Sequence, residues 1–146
     1  MRSTPKIRRV QLKLNQSNES VILGIVSAEP DYKLTLAINK NLGISLKNSS
    51  PVTIPDVPGD EPVFSRFACS PSSENLVYDL TSNRSGKNCL VGKLKNIDFF
   101  LRIHDPDNEV NIDQVAAKLR EMDCITAVFN IDAGSVKDKN INHLIH

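Results

Sequence analysis

Ile97-Asp98-Phe99-Phe100-Leu101-Arg102-Ile103, followed by Asn111-Ile112-Asp113-Gln114-Val115-Ala116-Ala117-Lys118-Leu119-Arg120-Glu121-Met122 and then Ile125-Thr126-Ala127-Val128-Phe129-Asn130-Ile131, is the stretch that decides the fold. The first segment is apolar, of strand length and rich in Ile, Leu and Phe. In the second, Asn111 can accept from the first free helical amides, and Gln114 three residues on completes a capping box. Ile112, Val115, Ala116, Leu119 and Met122 recur at helical spacing and predict one apolar stripe. The third segment is strand-like and predicts Ile125, Ala127, Phe129 and Ile131 on one face. A strand, a helix and a strand so tightly connected require a helix packed on the sheet that holds both strands.

Working outward, Val10, Leu12 and Leu14 alternate with polar residues, as in a half-buried strand. Asn15 to Ser20 is a polar turn cluster, and Val21-Ile22-Leu23-Gly24-Ile25-Val26 is a continuous apolar run. Such a run predicts a central strand covered on both faces, and the two strands predict an N-terminal hairpin. Gly24 within it predicts a close approach or a bulge. Pro30-Asp31 opens a predicted helix whose Leu34, Ala37, Ile38 and Leu42 share a face, with Gly43 as its terminator. Residues 49–62 hold prolines 51, 55, 58 and 62 with Asp56, Asp60 and Glu61, and read as an exposed acidic loop. Residues 64–69 and 76–80 predict a second hairpin, 83–88 a turn, and Leu90-Val91 the approach to the next strand. Residues 1–6 read as a loose tail and 133–146 as a polar short helix or irregular segment. The expected fold is α+β: one domain over 1–146, a largely antiparallel sheet with two helices on one face. Its second half resembles half of a ferredoxin-like or ACT-like domain.

Composition narrows the function classes. The chain has 146 residues, 24% charged and 40% hydrophobic, with a formal net charge of +1. That balance calls for no polyanionic partner. Aromatic content is only 5% with no Trp, so the core is expected to be aliphatic. No apolar run nears the roughly 20 residues needed to span a bilayer. No apolar segment follows the basic Met1–Lys6, so a cytoplasmic protein is expected. Cys69, Cys89 and Cys124 are far apart and form no CxxC pair, which predicts plain thiols in a reducing compartment.

Val91-Gly92-Lys93-Leu94-Lys95-Asn96-Ile97-Asp98-Phe99 resembles the signature of the IPExxxVDY family, a bacterial family of unknown function. Asp98 is identical, Val91, Ile97 and Phe99 are conservative, and Gly92 and Lys93 replace the Pro and Glu. Asp31-Tyr32-Lys33-Leu34, Ile38-Asn39-Lys40 and Leu42-Gly43-Ile44 are similar to the family's helix, and Leu23-Gly24-Ile25 to its preceding strand. The resemblance runs from about residue 12 to residue 103 with a gap in the middle, and it names no reaction.

Asp98 stands alone, and a single carboxylate is no acid–base machinery without a second group beside it. It is expected to cap a loop amide or to pair with a basic side chain, with Ile97 and Phe99 both turned to the core. His143 and His146 have helical spacing without an evident third ligand, and His104 precedes the acidic turn Asp105–Glu109, which lacks the ligand spacing of a calcium loop. Arg2, Lys6, Arg8, Arg9 and Lys13 are candidates for phosphate contact, but no aromatic residue lies among them to stack bases. Any nucleic-acid binding there is expected to be weak and salt-sensitive. No P-loop, GxGxxG or GxSxG occurs. The expectation is a protein with no catalysis, no metal and no cofactor that acts by association, with a second copy or another protein as partner. The alternatives are a nucleic-acid accessory protein using its basic N-terminal strand, and a regulatory domain holding a small ligand between helix and sheet.

Overall fold

The computed structural model describes residues 20–54, 62–71, 75–136 and 138–145. In chain order the elements are β1 (Ser20–Val26), α1 (Asp31–Leu42), β2 (Lys47–Asn48), β3 (Val52–Thr53), β4 (Val63–Phe64), β5 (Arg66–Cys69) and β6 (Val77–Ser82). They continue with β7 (Arg84–Ser85), β8 (Asn88–Cys89), β9 (Phe99–His104), α2 (Ile112–Arg120), β10 (Ala127–Ile131) and a short α3 (Asn142–Ile145). Six strands form one antiparallel sheet in the order β10-β1-β9-β6-β5-β2.

The order follows from two crossovers. β9 and β10 run the same way on either side of β1, joined by α2, and α1 carries the chain from β1 to the far edge at β2. These are two split β-α-β units, the arrangement of a ferredoxin-like sheet with extra strands on one edge. The sheet is antiparallel and both long helices lie on one face, as the sequence predicts.

The helices start and stop where local chemistry directs. Asn111 accepts from the Gln114 amide and caps α2. Gly43 ends α1 in the left-handed region at φ 68°, which glycine enters without strain. Leu34 and Ile38 of α1 and Val115, Ala116 and Leu119 of α2 bury against Leu23, Ile25, Leu80, Leu101 and Ile103 of the sheet. Met122 joins that core and Ile112 packs at its edge.

The opposite face carries a second core. Ile22 and Phe100 pack there with Val52, Ile54, Phe64, Leu90, Val91, Ile97, Ile141 and Leu144. This explains the unbroken apolar run of β1, whose alternate residues fill two different interiors. It also explains Gly24. A Cβ there would sit 3.0 Å from the Cδ1 atoms of both Ile97 and Ile131, so glycine lets two isoleucines close over the sheet.

Several expectations are corrected. The first strand of the predicted N-terminal hairpin, residues 10–14, lies outside the described residues, as does the tail 1–6. β1 is hydrogen-bonded on both edges, by β9 and β10, so it has no edge for that hairpin along 22–25. Residues 49–62 are not simply an exposed loop. Val52 and Thr53 pair with Phe64 and Val63, and Val52 and Ile54 are buried, while 55–61 lie outside the described residues. The paired part is short because the flanking prolines cannot donate. Leu90-Val91 lead towards the next strand without beginning it: they bury in the second core before a single 3-10 turn at Gly92–Leu94. Residues 133–146 are polar in composition, yet Ile141 and Leu144 fix that segment to the second face. Ile125 and Ile131 do not share a face. Ile125 joins Val128 on the helix side, Ile131 lies on the other, and Phe129 is half exposed. The strand starts only at Ala127, so the period-2 count from Ile125 is out of step.

Candidate functional site

The signature-like segment wraps around one buried asparagine. Asn83 follows β6 and has no exposed surface. Its backbone amide donates to the Asp98 carbonyl at 2.9 Å, and its carbonyl accepts from the Leu90 amide at 2.9 Å. Its Nδ2 donates to the carbonyls of Leu94 (3.0 Å) and Ile97 (2.8 Å), and its Oδ1 accepts from the Val91 amide at 2.8 Å. A loop has no ladder to satisfy its own backbone. Here one side chain supplies three of the missing bonds, and that fixes the loop from 90 to 98.

Asp98 stands where this loop enters β9. Its Oδ2 accepts from the Ser27 amide at 2.9 Å, and its Oδ1 accepts from Arg84 Nε at 2.6 Å. Arg84 Nη2 donates onward to the Lys95 carbonyl at 2.6 Å. The bond to Asp98 pushes the Arg84 pKa further up, against a smaller opposing pull from burial. Asp98 thus caps a loop amide and pairs with a basic side chain at once. Ser27, Glu29, Asp31, Ser65, Arg84 and Asp98 line an open cleft of about 460 Å³ beside the start of α1. Both oxygens of Asp98 are already engaged, so Asp98 enters the cleft as half of a positioned ion pair, while Glu29 and Asp31 bring two further carboxylates to its wall.

The remaining signature residues are structural. Val91 and Ile97 lie in the second core, and Phe99 lies in the helix-side core. The expectation that Ile97 and Phe99 share a face fails because the Ile97 amide still belongs to the turn, donating to the Leu94 carbonyl at 2.9 Å. Strand parity begins at Phe99. Among the described residues a Cβ at Gly92 would meet only Asp138 Oδ2, 3.9 Å away, so the position does not call for glycine on grounds of space. Lys93 is exposed, and its amide donates to the same Asp138 oxygen at 3.3 Å.

Arg2, Lys6, Arg8, Arg9 and Lys13 lie outside the described residues, as does His146. His143 is exposed, and His104 Nδ1 is 2.9 Å from Ser20 Oγ. The acidic turn is organised by its own backbone: Asp105 accepts from the Glu109 and Val110 amides at 2.9 Å each. Among the described residues no three His, Cys, Asp or Glu side chains converge as a metal site. Burial raises the pKa of the Cys69 and Cys124 thiols, which keeps the nucleophilic thiolate a minor form at neutral pH.

Two features escaped sequence reasoning. Asn83 reads as a turn residue in the sequence, because an Asn ahead of Arg-Ser-Gly looks like turn chemistry. The other is a charged cluster on the second face, where Arg102 Nη1 lies 2.6 Å from Asp79 Oδ2 and Arg66 Nε lies 3.7 Å from Asp79 Oδ1. Its signal was an aspartate inside the apolar run Leu76-Val77-Tyr78-Asp79-Leu80.

No protein-family model matches the chain, and no curated protein matches it.

Asp98→Asn is expected to lower stability by about 1.5 kcal/mol, near the low end for a charged hydrogen bond, because Arg84 is half exposed and screened. Thermal melting checks this. An unchanged melting temperature together with lost partner binding would assign Asp98 to recognition instead.

Proposed function

We propose that this chain is a divergent IPExxxVDY-like protein that acts without catalysis, by pairing with a second copy of itself. The observation that carries the reading is the outer edge of β10. Among the described residues Ala127-Val128-Phe129-Asn130-Ile131 is an end strand of the six-stranded sheet and contains no charge and no proline. Its one bonded outward group among them is the Val128 carbonyl, which accepts from Arg120 Nη2 at 3.0 Å and would exchange that bond for a strand partner. Natural sheets usually blunt such edges with Lys, Pro or a bulge, because unpaired backbone groups recruit other strands. Phe129 stands at the centre of the strand and is 50% exposed. An antiparallel pair about a two-fold axis through the strand centre would set Phe129 opposite Phe129 of the other copy. That contact is self-complementary, as a two-fold interface must be. Aromatic cross-strand pairs stabilise by up to about 1 kcal/mol each, in addition to the backbone bonds. With a net charge of +1 there is little repulsion between copies.

Light scattering and sedimentation at micromolar concentration are expected to give twice the monomer mass. Phe129→Lys is expected to return the monomer with little change in melting temperature, since the side chain is half in solvent already. A wild-type protein that remains monomeric at high concentration would sink the reading.

A further inference from the structure

Among the described residues, the part of the second face formed by β2, β5, β6 and β9 carries more positive charge than its one carboxylate balances. Strand register places the groups. Lys47 is opposite Ala68, Ala68 opposite Asp79, and Asp79 opposite Arg102, so Lys47, Asp79 and Arg102 share a face. Arg66 is two residues from Ala68 on the same strand and therefore projects to that face as well. Asp79 is 8% exposed, and both arginines converge on it. One carboxylate against two guanidiniums leaves one net positive charge, and Lys47 adds a second.

The hydrogen bonding is incomplete in the same place. Asp79 takes a short bond from Arg102 Nη1, but Arg66 Nε stays 3.7 Å away, beyond hydrogen-bond length. The Nε groups of Arg66 and Arg102 are both buried without a hydrogen-bond partner among the described residues. A buried donor left unmade is costly, and two on neighbouring guanidiniums call for an acceptor with several oxygens. The side chains of Arg66 and Arg102 still reach solvent, at 29% and 16% exposure, through atoms other than the buried Nε, so an ion meets the outer parts of both guanidiniums.

We propose that Arg66 and Arg102, steadied by Asp79 and bordered by Lys47, form a binding site for a phosphate group. The guanidinium fork matches phosphate oxygens, and a phosphate monoester carries about −1.5 to −2 charges at neutral pH, which balances the two surplus cations. Asp79 acts as a positioning residue that holds the two arginines side by side on adjacent rows of the sheet.

The test is a titration of the full chain with inorganic phosphate, and in a parallel arm with O-phosphoserine, at constant ionic strength set by chloride. The expected result is saturable binding, with amide shift changes centred on residues 66, 79 and 102 of the wild-type protein. Tighter binding of phosphoserine would assign an organic phosphate as ligand; equal or tighter binding of the inorganic ion would assign free phosphate. Arg66→Gln is expected to weaken binding at least about tenfold, and Arg66→Lys by less, because charge remains while the fork is lost. Absence of saturable binding, shift changes centred elsewhere, or undiminished affinity in Arg66→Gln would overturn the proposal.

Discussion

Asn83→Ala is expected to destabilise the protein by about 3–5 kcal/mol. The substitution removes three hydrogen bonds and leaves the Val91 amide and the Ile97 carbonyl without the partner that Asn83 supplies, while the Leu94 carbonyl keeps the Ile97 amide. Each buried polar group left unmade costs about 1–3 kcal/mol, with water entry recovering a part. Against a typical total of about 5–15 kcal/mol, the loss brings the chain close to unfolding. Urea denaturation measures it. Asn83→Asp separates shape from bonding, since it keeps the volume but turns an acceptor towards two carbonyls. It is expected to cost at least as much as alanine. Hydrogen exchange should show the Val91 amide losing protection first.

Phe100→Ala is expected to cost a further class of stability, about 3–5 kcal/mol, by opening a cavity in the second core. Phe100 is wholly buried near the start of β9, in the same cluster as Ile141 and Leu144. Leu144→Ala should cost about 2–5 kcal/mol on the same grounds. The double substitution should cost less than the sum, because both side chains line one interior. Chemical denaturation of the four proteins tests this. Strict additivity would mean that the C-terminal segment does not share a core with the sheet.

Much of the architecture is legible in local signals. The helix at 31–42 is bracketed by Pro30 and Gly43, the helix from 112 by its Asn111 cap, and β1 by its unbroken apolar run. These depend on residues within a few positions of one another. The second core was not legible, because its parts are short and scattered. Val52, Phe64, Val91, Ile141 and Leu144 belong to no shared periodic pattern, and only the folded chain assembles them. The faces of residues 97–99 and 125–131 were misassigned for a related reason: strand parity holds only within a strand, and turns shift the count. For the candidate sites, the engagement of Asp98 was foreseeable in kind, whereas its partners Ser27 and Arg84 depend on long-range placement. Asn83 and the Arg66–Asp79–Arg102 cluster are likewise products of topology.

The position of β1 has a kinetic consequence. Its neighbours on either side are β9 and β10, so Leu23 waits for Leu101, and Ile22 waits for Ile131 about a hundred residues further on. Ribosomes add roughly 5–20 residues per second, which leaves this apolar strand without its final partner for about 5–20 seconds of synthesis. Pairings of such sequence separation must close long loops before they are rewarded, and they slow folding. The nascent chain therefore carries Val21–Val26 as an uncovered β-prone segment until nearly all the described residues exist, an opening for chaperones and for aggregation alike.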